Sequence, residues 1–124
     1  MKFSIEDGDS NFIIRAYEQG RIVVNNESFT RSFVVTQQTL IRDWSPQTFD
    51  DIQPEHVHQL TESKPEIVLL GTGSQIQFPE LALQAIIMER GIGLEVMDTA
   101  AACRTYNILS AEGRNVTAAL IMMK

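Results

Sequence analysis

After Pro65 the chain sets out three apolar runs, "EIVLL" (66–70), "LEVMD" (94–98) and "VTAALIMM" (116–123), and each is parted from the next by a segment with helical punctuation. A strand that is apolar on successive residues needs cover on both faces, as parallel strands in α/β sheets do. Parallel neighbours require a crossover, and such crossovers are helical and right-handed. This strand–helix–strand–helix–strand series therefore predicts a sheet with two covering helices.

The first crossover helix is read from "PELALQAIIMERG". Pro79 stands near its first position, Glu80 in the first turn, Arg90 in the last, and Gly91 is the stop. Leu81, Ala85 and Met88 fall on one side and Leu83, Ile86 and Ile87 on the other. A helix apolar around most of its circumference is predicted to be largely buried, under other elements or at a subunit contact. The second crossover helix is read from "TAAACRTYNILSAEG", with Asp98 or Thr99 as N-cap and Gly113 as stop.

The residues before Pro65 carry a different rhythm. Phe12–Tyr17 and Arg21–Val24 are β-rich runs separated by "EQG", in which Gly20 is free to take a positive φ, so they form a hairpin. "RSFVVTQ" and "TLIRDW" continue the β pattern, "SPQTFDDIQPEH" breaks it as a loop, and "PEHVHQLTESK" is a short, polar, peripheral helix. The predicted fold is α/β: one domain over residues 1–124, in three layers about a mixed central sheet, with an antiparallel N-terminal β region followed by β-α-β-α-β.

Composition narrows the functional classes. A net charge of −6 with scattered basic residues gives no face for nucleic acid. No apolar stretch has membrane-span length, and "MKFSIEDGDS" lacks a signal-peptide or transit pattern, so a cytoplasmic chain is expected. The single cysteine cannot form an internal disulfide or a multi-cysteine metal site. No cofactor and no metal are predicted.

The candidate site lies where two predicted strands end. If "EIVLL" and "LEVMD" are parallel neighbours, Gly71, Thr72 and Gly73 share one rim of the sheet with Asp98 and Thr99. That rim is where open α/β sheets bind ligands, and glycine-turn and helix N-terminal N–H groups both favour an anion. At 100° per residue, an apolar arc of Ala101, Ala102, Tyr106, Ile108 and Leu109 should face the sheet, and Thr99, Cys103 and Asn107 fall on one stripe beside it, with Arg104 further out. These eight residues (Gly71, Thr72, Gly73, Asp98, Thr99, Cys103, Arg104 and Asn107) form the predicted cleft.

Sharper chemistry has bland competitors. Cys103, near a helix start and next to Arg104, has features of an activated thiol, but the only histidines that could serve as its base lie in a remote polar segment, and a lone cysteine is more often a small buried apolar residue. "GTG" followed 27 residues after Gly71 by Asp98 imitates a dinucleotide fingerprint, but Ile76 stands where the third glycine belongs. His56 and His58 are two residues apart, a spacing that does not share a helix face, which argues against a metal. Trp44 and Phe49 form either a recognition surface or a lid folded back on the β region.

"GTG" together with "GIGLEVMDTAAACRTYNILSAEGRNVTAALI" resembles a family of small uncharacterised domains that includes mitochondrial complex I assembly factor 3 and an adipogenesis-associated cytosolic protein. The resemblance covers nearly the whole chain and is most specific over Gly91–Ile121. It carries over Gly71–Gly73, Asp98, Thr99, Cys103 and Asn107, with Glu112, Gly113 and Arg114 at the helix end, but not Arg104. It implies the bacterial form of a three-layer α/β domain and a non-enzymatic interaction or assembly factor, with a membrane protein complex as its setting. A protein partner is expected, a homodimer being one form of it. Ligand binding or thiol chemistry at the cleft is the alternative.

Overall fold

The structure, a computed structural model, describes residues 11–124. The ten residues read above for a targeting signal lie outside that range. The chain opens with an antiparallel meander of β1 (Ile14–Glu18), β2 (Arg21–Val24) and β3 (Glu27–Phe29). Gly20 makes the predicted hairpin turn with φ +75°. β4 (Phe33–Thr36) and β5 (Leu40–Ile41) follow, then a 3-10 turn at Phe49–Asp51 and helix α1 (Pro54–Gln59).

The strand–helix alternation then runs as β6 (Ile67–Gly71), α2 (Leu81–Met88), β7 (Gly93–Met97), α3 (Thr99–Ala111) and β8 (Val116–Leu120). The main sheet has the order β5-β4-β8-β6-β7. β6 runs parallel to both β7 and β8, and β4 pairs antiparallel with β8 and β5. The mixed sheet, the antiparallel N-terminal region and the β-α-β-α-β series are as the sequence predicts.

Residue alternation on the central strands sends side chains to two cores. Leu69 and Leu120 join Ile22, Phe33, Cys103 and Tyr106 on the α3 side, while Val68 and Leu70 join Trp44, Ile52, Val57 and Ile87 on the α1–α2 side. The second core absorbs Trp44, which is fully buried, and half-buries Phe49. Both rings thus fold back over the chain. Helix α1 is less peripheral than its polar sequence suggests, because Val57 and Leu60 are buried against the same cluster.

Two helix orientations differ from the sequence reading. α3 buries Thr99, Ala102, Cys103, Tyr106 and Ser110, whereas Ile108 is 59% exposed. Apart from Tyr106, the buried side chains of this helix are small, because it sits very close to the sheet at Gly71. α2 buries Ile87 alone, with Leu83 and Ile86 half-covered. Leu81 is 81% and Met88 58% exposed, so the described residues leave the outer half of this helix bare. Its apolar circumference does not mean full burial within the chain.

The close approach of α3 gives a direct test. A Cβ on Gly71 would stand 3.0 Å from Leu120 Cδ2 and from Thr99 Oγ1, and 3.1 Å from Thr99 Cα. Gly71→Ala should therefore destabilise the fold by about 1–3 kcal/mol, as overpacking of a filled core does. Urea unfolding checks this, and Gly93→Ala, where the nearest contact is 3.5 Å, is the comparison expected to cost less.

Candidate functional site

β6 and β7 are parallel neighbours, so their carboxyl ends bring the Gly71–Gly73 turn to the start of α3. Asp98 is the N-cap, and its carboxylate accepts from Ala101 N–H at 2.9 Å. Thr99 is fully buried, and its hydroxyl joins three pieces of chain. Oγ1 accepts from Gly73 N–H at 2.8 Å and donates to the Ile121 carbonyl at 2.6 Å. Thr99 N–H in turn donates to the Gly73 carbonyl at 2.9 Å, and Ile121 N–H to the Gly71 carbonyl at 3.1 Å.

Thr72 secures the turn itself. Its hydroxyl donates to the Gln75 carbonyl at 2.7 Å and accepts from Gln77 N–H, while its N–H reaches the Met97 carbonyl. The predicted rim thus exists, and its polar groups satisfy one another across it.

The remaining stripe residues reach elsewhere. Cys103 is fully buried in the α3-side core, and burial pushes its thiol up to about 12, with Asp98 raising it further and Arg104 only partly offsetting. A thiol so placed stays protonated at neutral pH, the opposite of an activated nucleophile. Asn107 clasps β1: its Nδ2 donates to the Ile14 carbonyl at 2.8 Å and its Oδ1 accepts from Ile14 N–H at 3.0 Å. Tyr106, the residue before it, does similar work by donating to the Phe12 carbonyl. Exposed Arg104 donates to the Tyr17 hydroxyl at 3.2 Å, with its guanidinium carbon 6.0 Å from the ring centre.

The histidines are distant from this stripe. His56 belongs to α1, on the opposite side of the sheet, where Nδ1 accepts from Gln53 N–H and caps the helix start. His58 is exposed on the same helix.

An open groove of about 310 Å³ lies on the far side of the glycine turn. Phe49, Thr72, Gly73, Gln77, Met122 and Lys124 line it, so of the eight predicted cleft residues two reach it. Its floor is held by Ser74, whose Oγ donates to the Lys124 carbonyl and accepts from Lys124 N–H. Nothing in the residue types at 121–124 marked that segment as a wall.

A second feature lies at α2, the helix that the sequence reads as covered either by other elements or at a subunit contact. Ile76, Phe78, Leu81 and Met88 are all exposed in one stretch of chain, Phe78 at 67%. The signal was the all-round apolar pattern of α2. Among the described residues no helix is long and apolar enough to cross a membrane.

Comparison with known proteins gives this geometry a context. The profile of the family described as "Protein of unknown function (DUF498/DUF598)" matches residues 14–121. The "13 kDa major membrane protein" of Francisella tularensis subsp. holarctica (strain LVS) is 30% identical over 110 residues, covering 86% of this chain and 88% of that one. The bovine (Bos taurus) "NADH dehydrogenase [ubiquinone] 1 alpha subcomplex assembly factor 3" is 33% identical over 110 residues, covering 87% of this chain. The chain spans 59% of the length of that relative. A crystal structure of a protein from Bordetella parapertussis superposes with a TM-score of 0.88 at 33% identity, covering 94% of this chain and 99% of that one.

The Thr99 junction predicts a specific loss. Thr99→Val keeps the shape but strands the Gly73 N–H and the Ile121 carbonyl in a buried setting, and should cost about 2–4 kcal/mol in urea unfolding, with Thr99→Ser costing less. Cys103 predicts a pH effect. Its folded pKa lies above the unfolded thiol value of about 8.5, so its contribution is intact below that value and is lost as pH rises towards 12. Iodoacetamide should accordingly modify the native thiol at pH 8 far more slowly than a free thiol, and stability should fall between pH 9 and 12 (about the span between those two pKa values) more steeply in wild type than in Cys103→Ala.

Proposed function

The chain belongs to the family of proteins of unknown function DUF498/DUF598, and from that premise we propose that it is a non-enzymatic interaction or assembly factor serving a membrane protein complex. The observation that carries the proposal is the outer face of α2. Leu81 and Met88 are seven residues apart and so lie on one side of the helix, with Ala85 between them and Ala82 beside them. That face holds no charged side chain, and Ile76 and Phe78 are also exposed in the segment that precedes the helix. A surface this apolar is what a protein contact uses.

The relatives support the same reading. The bovine protein is named as an assembly factor for NADH dehydrogenase and the Francisella protein as a membrane protein. On this reading the chain works from the cytoplasm at the margin of a membrane complex. The Gly71–Gly73, Asp98, Thr99, Cys103 and Asn107 set then serves to lock the strand ends, turn and meander to α3. Arg104 adds a surface contact to Tyr17.

The test is quantitative affinity purification from detergent-solubilised cells of the source organism. Wild type is compared with Leu81→Gln/Met88→Gln, whose stability should stay within about 0.5 kcal/mol because both side chains are exposed. A stoichiometric partner present with wild type and lost with the double variant is expected. Retention of the same partner by the variant, or no specific partner for either, overturns the proposal.

A further inference from the structure

We propose that the outer face of α2 receives an amphipathic helix of a partner protein, one that flanks its apolar stripe with lysine or arginine. The inference rests on the interaction-factor reading and names the partner's chemistry. Along the axis, Leu81, Ala85 and Met88 make a stripe with the smallest residue between the two large ones. A small residue between two large ones lets a second helix approach and seat its own side chains on either side. The stripe is about two turns long, which matches a helical segment rather than an extended one.

Charge selects among occupants. Glu80 and Glu89 bracket the stripe as the two cap residues of α2, both are exposed, and neither forms an ion pair among the described residues. At about 1.5 Å per residue they stand roughly 13–14 Å apart along the axis. Arg90 is exposed beside Glu89, which leaves the three end charges summing to −1 on a chain of net charge −6. A bilayer with anionic lipids is repelled by such a chain, whereas a basic helix is attracted.

A second copy fits less well. A two-fold pairing that seats Leu81 against the copy's Met88 gathers Glu80 and Glu89 of both copies around one two-helix contact, with only the Arg90 of each copy to offset them. Like charges so placed disfavour self-association and leave cationic residues as the matching groups.

The experiment titrates the full chain with fluorescent 18-residue synthetic helices, read by anisotropy. One peptide carries a leucine stripe flanked by lysines, a second the same stripe flanked by glutamates, and a third lysines with serines in place of the stripe. The leucine–lysine peptide is expected to bind at least tenfold tighter than either of the others, and more weakly as salt rises. Leu81→Gln/Met88→Gln should weaken it at least tenfold. Glu80→Gln/Glu89→Gln should weaken it three- to tenfold and flatten the salt dependence, while Asp43→Asn/Glu112→Gln, which removes charge elsewhere, should leave it unchanged.

Equal affinity for the lysine and glutamate peptides, equal loss with the Asp43/Glu112 pair, or no binding overturns the inference. So does a dimer in sedimentation equilibrium that the Leu81/Met88 variant dissolves, since the occupant is then a second copy. The cell purification described above reads a different quantity. A natural partner lost on Leu81→Gln/Met88→Gln, together with no preference among peptides, would sink the basic helix and leave the interaction-factor reading standing.

Discussion

The hydroxyl of Thr99 is the interaction on which the rest of this structure turns. It accepts from the turn after β6 and donates to the chain leaving β8, while its own backbone N–H returns to the turn. Two parallel strands and the helix between them are thereby fixed at one point. The arrangement works only because Gly71 has no side chain, so that α3 can settle with the threonine Cα against the strand. Once α3 is set at that distance, Ala102 and Cys103 are the sizes that fit beneath it, and Tyr106 and Asn107 arrive where they hold the meander.

This explains why residues that look like chemistry in the sequence act as structure. A threonine at a helix start, a buried cysteine and an asparagine at four-residue intervals are also what a helix needs to pack closely and tie down its neighbours. The thiol is held protonated by its surroundings, and the carboxylate of Asp98 is engaged by the helix it caps. The polar groups of the predicted cleft find one another before they find a ligand. Exposure, by contrast, concentrates on a helix with no reactive group at all.

Much of this architecture was legible in the sequence. Continuous apolar runs called for a doubly covered sheet, the glycines at 20, 91 and 113 marked turns, and each takes a positive φ. The sheet rim was placed by the order of strands alone. What periodicity missed was distance. Hydropathy ranks Ile108 above Thr99 and Cys103, but the spacing between α3 and the sheet decides which of them faces inward, and that spacing is set by Gly71, a residue on another element. In α2 the apolar pattern was visible, yet a pattern cannot show whether neighbouring layers extend far enough to cover it. Val57 and Leu60 in a polar segment were similarly hidden, since two apolar side chains give no period to read.

The pairing of β4 with β8 has a consequence for how the molecule comes into being. Phe33 lies opposite Leu120 and Thr36 opposite Thr117, so the central sheet joins residues from the first third of the chain to residues near its end. Contacts so far apart in sequence close a long loop before they return any stabilisation, which slows folding. During synthesis the strand carrying Phe33, Val34 and Val35 emerges well before its neighbour β8. For that interval the nascent chain presents a short, uncharged β-strand with one open edge, the kind of edge on which chains pair wrongly.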